Sequence, residues 1–158
     1  MPGLARRACR APPGRAPLRG GRRRGGGAVS RMLFVLRFRC GEPEPLDLDA
    51  VREVLGPYAV GGAADPREGL LIRTADGREV EVDVNELCIG VARFPPGHFF
   101  DLLAALVDRL GASVLPCDRP ALLRAEADRS HLPGPSREEA VVVPMTGRAV
   151  ESFLSGGS

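Results

Sequence analysis

The stretch Gly69–Phe94, GLLIRTADGREVEVDVNELCIGVARF, decides the fold by where it is cut into strands. Gly69 to Thr74 and Arg78 to Val84 are apolar-alternating runs on either side of Ala75-Asp76-Gly77. Asp-Gly between two such runs predicts a β-hairpin, because both residues tolerate the positive φ of a tight turn. Val80, Val82 and Val84 alternate with Glu79, Glu81 and Asp83, the period-2 pattern of a strand with one buried and one wet face. Uncut from Arg78 to Phe94, that strand would be far longer than the usual five or six residues. A turn at Asn85-Glu86 would make Leu87 to Phe94 a strand of its own.

Upstream, Met32 to Cys40 alternates, with Phe34, Leu36, Phe38 and Cys40 on one face and Leu33, Val35, Arg37 and Arg39 on the other. Matching the phenylalanines to the valines of the hairpin places them inside and the two arginines outside. Leu46 to Tyr58 carries Leu48, Val51, Val54 and Leu55 at helical spacing, with Asp47 or Asp49 as N-cap and Gly56-Pro57 as the stop. Gly61 to Pro66 reads as loop. Downstream, Pro95-Pro96-Gly97 opens a helix through Leu110 whose stripe is Phe99, Leu102, Leu103, Leu106, Val107 and Leu110, closed by Gly111. Ser113 to Ala125 holds a last strand or two short ones, broken at Pro116 and Pro120 as edge strands are.

Strand, helix, hairpin, helix, strand is the split βαβ order of ferredoxin-like α+β folds (βαββαβ): an antiparallel sheet with two helices on one face. A turn at Asn85 adds one strand. The expected organisation is a leader over residues 1–31, an α+β domain over 32–133, and a tail over 134–158 with a short strand at Ala140 to Met145 and a helix at Gly147 to Leu154.

Charge divides the chain more sharply than its net +2 suggests. Met1 to Arg31 holds nine arginines and no acid; the rest holds 13 arginines against all 20 acids, a balance of −7 that would steer basic partners. Lysine is absent, and alanine, glycine, proline and arginine abound, as codon bias in a high-GC bacterium would produce. The glycine- and proline-rich leader has nothing to bury against the entropy of ordering and is expected to be disordered. It reads as a nucleic-acid-binding arm, a transit peptide, or an upstream stretch ahead of a true start at Met32. The composition break at Met32 favours the last.

Several chemistries lack their residues. A phosphate-binding P-loop needs a lysine, no G-x-G-x-x-G stands between strand and helix, and Arg129-Ser130-His131 has no nucleophile elbow around it. Cys88, His98 and His131 would form an activated thiol or a zinc site only if the third strand ran unbroken into the second helix. Their spacing matches no ligand motif. No catalytic residue, metal or cofactor is expected. Cys9, Cys40, Cys88 and Cys117 lack the density of a disulfide scaffold, and no run is long enough to span a bilayer, so a cytoplasmic protein with reduced thiols and no membrane contact is expected.

The outward charges remain. Glu79, Glu81 and Asp83 beside Arg37 and Arg39 would form cross-strand pairs on an open sheet face. With phenylalanines inside, that face would offer no aromatic platform for RNA bases, which disfavours nucleic acid. The expected function is non-enzymatic protein binding, for instance an immunity-type inhibitor that covers a basic partner. The rivals are a small-ligand-binding or regulatory domain that forms a homodimer through its sheet, and a small Cys/His-dependent enzyme.

Overall fold

A computed structural model describes residues 32–61 and 69–155. The expected leader and most of the Gly61–Pro66 loop lie outside the described residues. The fold is mixed α+β: an eight-stranded, mostly antiparallel sheet with helices packed on it. In chain order, β1 (Met32–Arg39) and β2 (Glu42–Glu44) precede helix α1 (Leu48–Leu55) and a 3-10 turn, Gly56–Tyr58. Then come β3 (Leu70–Arg73), β4 (Glu79–Val84), β5 (Ile89–Ala92), α2 (His98–Leu110), β6 (Ser113–Pro116) and β7 (Leu122–Leu123). A 3-10 segment, Glu126–His131, leads to α3 (Gly134–Arg137), β8 (Val141–Val142) and α4 (Gly147–Leu154).

The sheet order is β3-β4-β5-β1-β6-β7-β8, with β2 paired to the far end of β1 and only β7-β8 parallel. Asn85 makes the extra strand. Its Oδ1 accepts from the backbone N–H of Leu87 at 2.8 Å and of Cys88 at 2.9 Å, and its own N–H donates to the Cys88 carbonyl at 2.9 Å. This tight turn sends β5 back along β4, so β5, not β4, borders β1. One reversal changes the polarity of everything upstream. β5 and β6 flank β1 and both run antiparallel to it, with α2 crossing between them. The strand after α1, β3, consequently runs opposite to β1 instead of parallel to it as the four-stranded order requires.

The faces of β1 also differ from expectation. Val35 lies across from Ile89 on one side and Val114 on the other, and Leu33 across from Val91; all are buried. Leu33 and Val35 therefore face the helices, and Phe34, Leu36 and Phe38 face away. Both rows of this central strand are apolar, so alternation alone does not say which is inner. Gly90 gives Phe34 its place: a Cβ there would stand 3.3 Å from the Phe34 ring.

One core cluster joins this inner row to Val51 and Leu55 of α1, Phe99, Phe100, Leu103 and Val107 of α2, and Val150 and Leu154 of α4. A second, smaller cluster lies around Leu123, Leu132 and Ala140, with Phe38 and Leu115 packed against it. The helix ends are held across the fold. Asp47 Oδ1 caps α1 through the N–H groups of Asp49 and Ala50 at 3.0 and 3.2 Å. At α2, Gly97 has no capping side chain, and other elements substitute: Asp76 from the hairpin turn accepts from His98 N at 3.5 Å, and Glu151 of α4 accepts from Gly97 N at 3.3 Å.

Candidate interaction surface

Glu79, Glu81 and Asp83 stand out from β4, as their alternation with three buried valines requires. Their surroundings differ from one to the next. Glu79 faces Arg73 of β3 and accepts from its Nη2 at 2.6 Å and its Nε at 3.2 Å. Glu81 lies across from Leu71, and Asp83 across from Gly90. Among the described residues neither Glu81 nor Asp83 has an ion-pair partner.

The chain after α1 extends this face. Ala59 bridges to Ile72, and Val60 N donates to the Leu71 carbonyl at 2.8 Å, so a short segment lies along the outer edge of β3. Ala59 packs toward the core with Ile72, which leaves Tyr58 and Val60 on the side of Arg73 and Leu71. Tyr58, Val60 and Leu71 are each 37 % exposed, Val60 adjoins Leu71, and Leu71 lies across from Glu81. A shallow depression of about 260 Å³ is lined by Gly69, Leu71, Glu81 and Asp83. The combination is an apolar patch with an acidic border. The sequence reading missed the apolar part, because Gly56-Pro57 marks the end of a helix and nothing in Tyr58-Ala59-Val60 marks a strand.

Arg37 and Arg39 do not belong to this surface. They share the parity of Leu33 and Val35, and β5 separates β1 from β4. Both arginines instead hold Glu44 across the β1-β2 hairpin, Arg37 Nε at 3.1 Å and Arg39 Nε at 2.6 Å. The expected cross-strand pairs with Glu79, Glu81 and Asp83 are thus replaced by a local three-residue cluster. The Arg39 hydrogen bond, reinforced by the charges of Arg37 and Arg39, holds the Glu44 carboxyl below the usual range, against a smaller opposing effect of burial.

That depressed value fixes a sign for pH dependence. A carboxyl more acidic in the folded than in the unfolded chain contributes stability above its unfolded value and loses it as pH falls through the folded one. Asp76, lowered chiefly by the Thr74 hydroxyl with the His98 amide and charge adding to it, acts in the same direction. Thermal melts should therefore show Tm falling as pH drops below about 4, the ordinary carboxylate range, and Glu44→Gln should flatten that slope.

The cysteine and histidine constellation is dispersed. Cys88 precedes β5 and His98 follows it by the length of the strand and a five-residue loop, which puts them at opposite ends of the sheet. His98 lies near Asp76 and Asp101. His131 Nδ1 accepts from the backbone N–H of Cys40 at 3.2 Å, and its carbonyl accepts from Gly41 N at 2.9 Å, which secures the Cys40-Gly41 turn where both φ values are positive. Cys88 is half-buried and its thiol is pushed up by burial, opposite to an activated thiolate. Cys88 and Cys117 are free thiols, but Cys40 is disulfide-bonded, which corrects the expectation of reduced thiols throughout. Among the described residues no three His, Cys, Asp or Glu side chains group as metal ligands would, and no helix is long and apolar enough to cross a membrane. No protein-family model, curated protein or solved structure matches the chain.

Proposed function

We propose that this chain is a non-enzymatic protein-binding domain, of the kind that inhibits a basic partner by covering it, and that it docks through the outer face of β3 and β4. The observation that carries this reading is the pairing of exposed apolar side chains, Tyr58, Val60 and Leu71, with two carboxylates, Glu81 and Asp83, that have no ion-pair partner among the described residues. Apolar contact at a centre containing tyrosine supplies affinity, and a rim of one charge supplies encounter rate and partner choice. Glu79 is already neutralised by Arg73 and belongs to the scaffold of the patch.

Nucleic acid is disfavoured on different grounds from those first expected. Phe34 does lie on the outer face, but its ring covers Gly90, whose other neighbour across the sheet is Asp83. A phosphate backbone approaching that ring would meet carboxylates.

The test is co-purification from the native host with the intact chain and with the double variant Glu81→Lys, Asp83→Lys. A basic protein retained by the first should be lost from the second, a drop of at least about tenfold, since the double reversal sets like charges against each other across the rim, which costs several kcal/mol. Glu79→Lys should do less. Retention unchanged by the double variant would remove the reading, and an unaltered melting temperature would show that the variant had folded.

A further inference from the structure

We infer that the arginine-rich leader, Met1–Arg31, competes in cis with the basic partner for the acidic face, so that docking is self-limited by the chain's own N-terminal segment. The inference rests on the docking reading above and adds a regulator to it.

Charge complementarity is the first argument. The leader contributes nine arginines and no acid, and the rest of the chain has an excess of seven acids. Within that excess, Glu81 and Asp83 have no ion-pair partner among the described residues, and Glu81 lies across from the exposed Leu71, so a cation drawn to them would sit at the apolar patch. An arginine can bridge such carboxylates through its fork of donors, and the same chemistry would recognise a basic protein.

The exit point of the leader is the second argument. β1 begins at Met32, which lies across from Ala92 and shares the outer row of Phe34. Phe34 faces Gly90, and Gly90 faces Asp83, so the leader leaves the sheet two strands away from the acids on their own face. Strands spaced about 4.8 Å apart put β4 roughly 10 Å from that point. Arg31 is the adjoining residue, and Arg22, Arg23 and Arg24 follow within nine residues. Nine extended residues span up to about 30 Å, so the tether does not prevent contact.

Tethering is the third. A segment attached this close presents its arginines at an effective concentration in the millimolar range, enough to oppose a weak ionic encounter. Salt would loosen the contact, because exposed charges are screened within about 8 Å at physiological ionic strength.

The experiment uses the full chain from Met1 and a fluorescent nona-arginine peptide as the stand-in for a basic partner, read by anisotropy at low salt. Three proteins are compared: the native chain, the variant Arg22→Gln, Arg23→Gln, Arg24→Gln, Arg31→Gln, and that variant with Glu81→Gln and Asp83→Asn added. The leader variant should bind the peptide about tenfold more tightly than the native chain, and the added acid substitutions should abolish the gain. Equal affinity of the first two overturns competition in cis and leaves docking at the face intact. A gain that survives loss of Glu81 and Asp83 overturns it as well, since the leader would then act elsewhere. Absence of binding by the leader variant overturns both readings. Intact mass of the native protein adds one more way to fail, because a chain starting at Met32 has no leader to compete.

Discussion

Phe100→Ala should cost about 3–5 kcal/mol of folding stability, the range seen when a large aromatic is deleted from a packed core. Phe100 is 2 % exposed and stands in the first turn of α2, where the helix meets the sheet. Its ring lies edge-on to Phe94 at 5.8 Å and to Phe99 at 5.4 Å, and Phe94 stacks on Phe99 at 6.0 Å. Removing the central ring leaves a cavity and also strips two aromatic partners of their contacts, each worth about 0.5–1.5 kcal/mol beyond area. Folded domains of this size are stable by only about 5–15 kcal/mol, so the substitution should remove from about a fifth to all of that stability. Urea denaturation followed by far-UV circular dichroism reads this directly. A midpoint within error of the native one would mean that α2 is not anchored where the ring cluster places it.

Gly147→Ala should destabilise by about 1–3 kcal/mol, although alanine is the better helix former by about 1 kcal/mol. Gly147 begins α4 and is buried against α2. A Cβ at this position would overlap Asp101 Oδ1, stand 2.8 Å from Asp101 Cγ and come within 3.0 Å of the Asp101 backbone nitrogen. The carboxylate can rotate away; the backbone cannot. α4 must then move off α2, and Glu151 loses its bond to Gly97 N, so the N-terminus of α2 is weakened at the same time. Differential scanning calorimetry checks the sign. A rise in Tm would mean that helix propensity outweighs the close approach.

These two positions show how unevenly the fold is written in the sequence. Phe100 falls outside the apolar stripe read from α2, which named Phe99, yet Phe100 is the more deeply buried. The stripe assumes a helix with one wet face, whereas α2 packs against α1, α4 and the sheet together, so Phe100 and Ala104 are covered as well. Gly147 carried no signal at all, because a glycine at a helix start is ordinary until another helix is known to press on it. Asp76 was legible as a turn residue but not as the cap of α2, which lies 22 residues further along the chain.

The interaction surface divides in the same manner. Glu79, Glu81 and Asp83 alternate with valines, and period-2 geometry sends them outward whatever the strand pairs with. Assigning Arg37 and Arg39 as their neighbours required a strand order, and one additional strand was enough to undo it. Tyr58 and Val60 became part of the surface only because the segment after α1 lies down on β3.

By itself the sequence determined the elements with a local cause: the Asp-Gly hairpin, the outward acids of β4, and the separation of a basic leader from an acidic body; it offered a turn at Asn85 and a cap at Asp47 or Asp49, and the structure took the turn and Asp47. Backbone sterics, side-chain capping and the two hydrophobic periods act within a few residues, so no long-range information is needed to read them. Only the tertiary structure decided which face of β1 is inner, which strand borders it, and which of the described carboxylates pair with which arginines. Each of these depends on what lies across a strand or beneath a helix, and pairing energies of about 0.2–1 kcal/mol per contact select among registers only when the whole sheet is assembled.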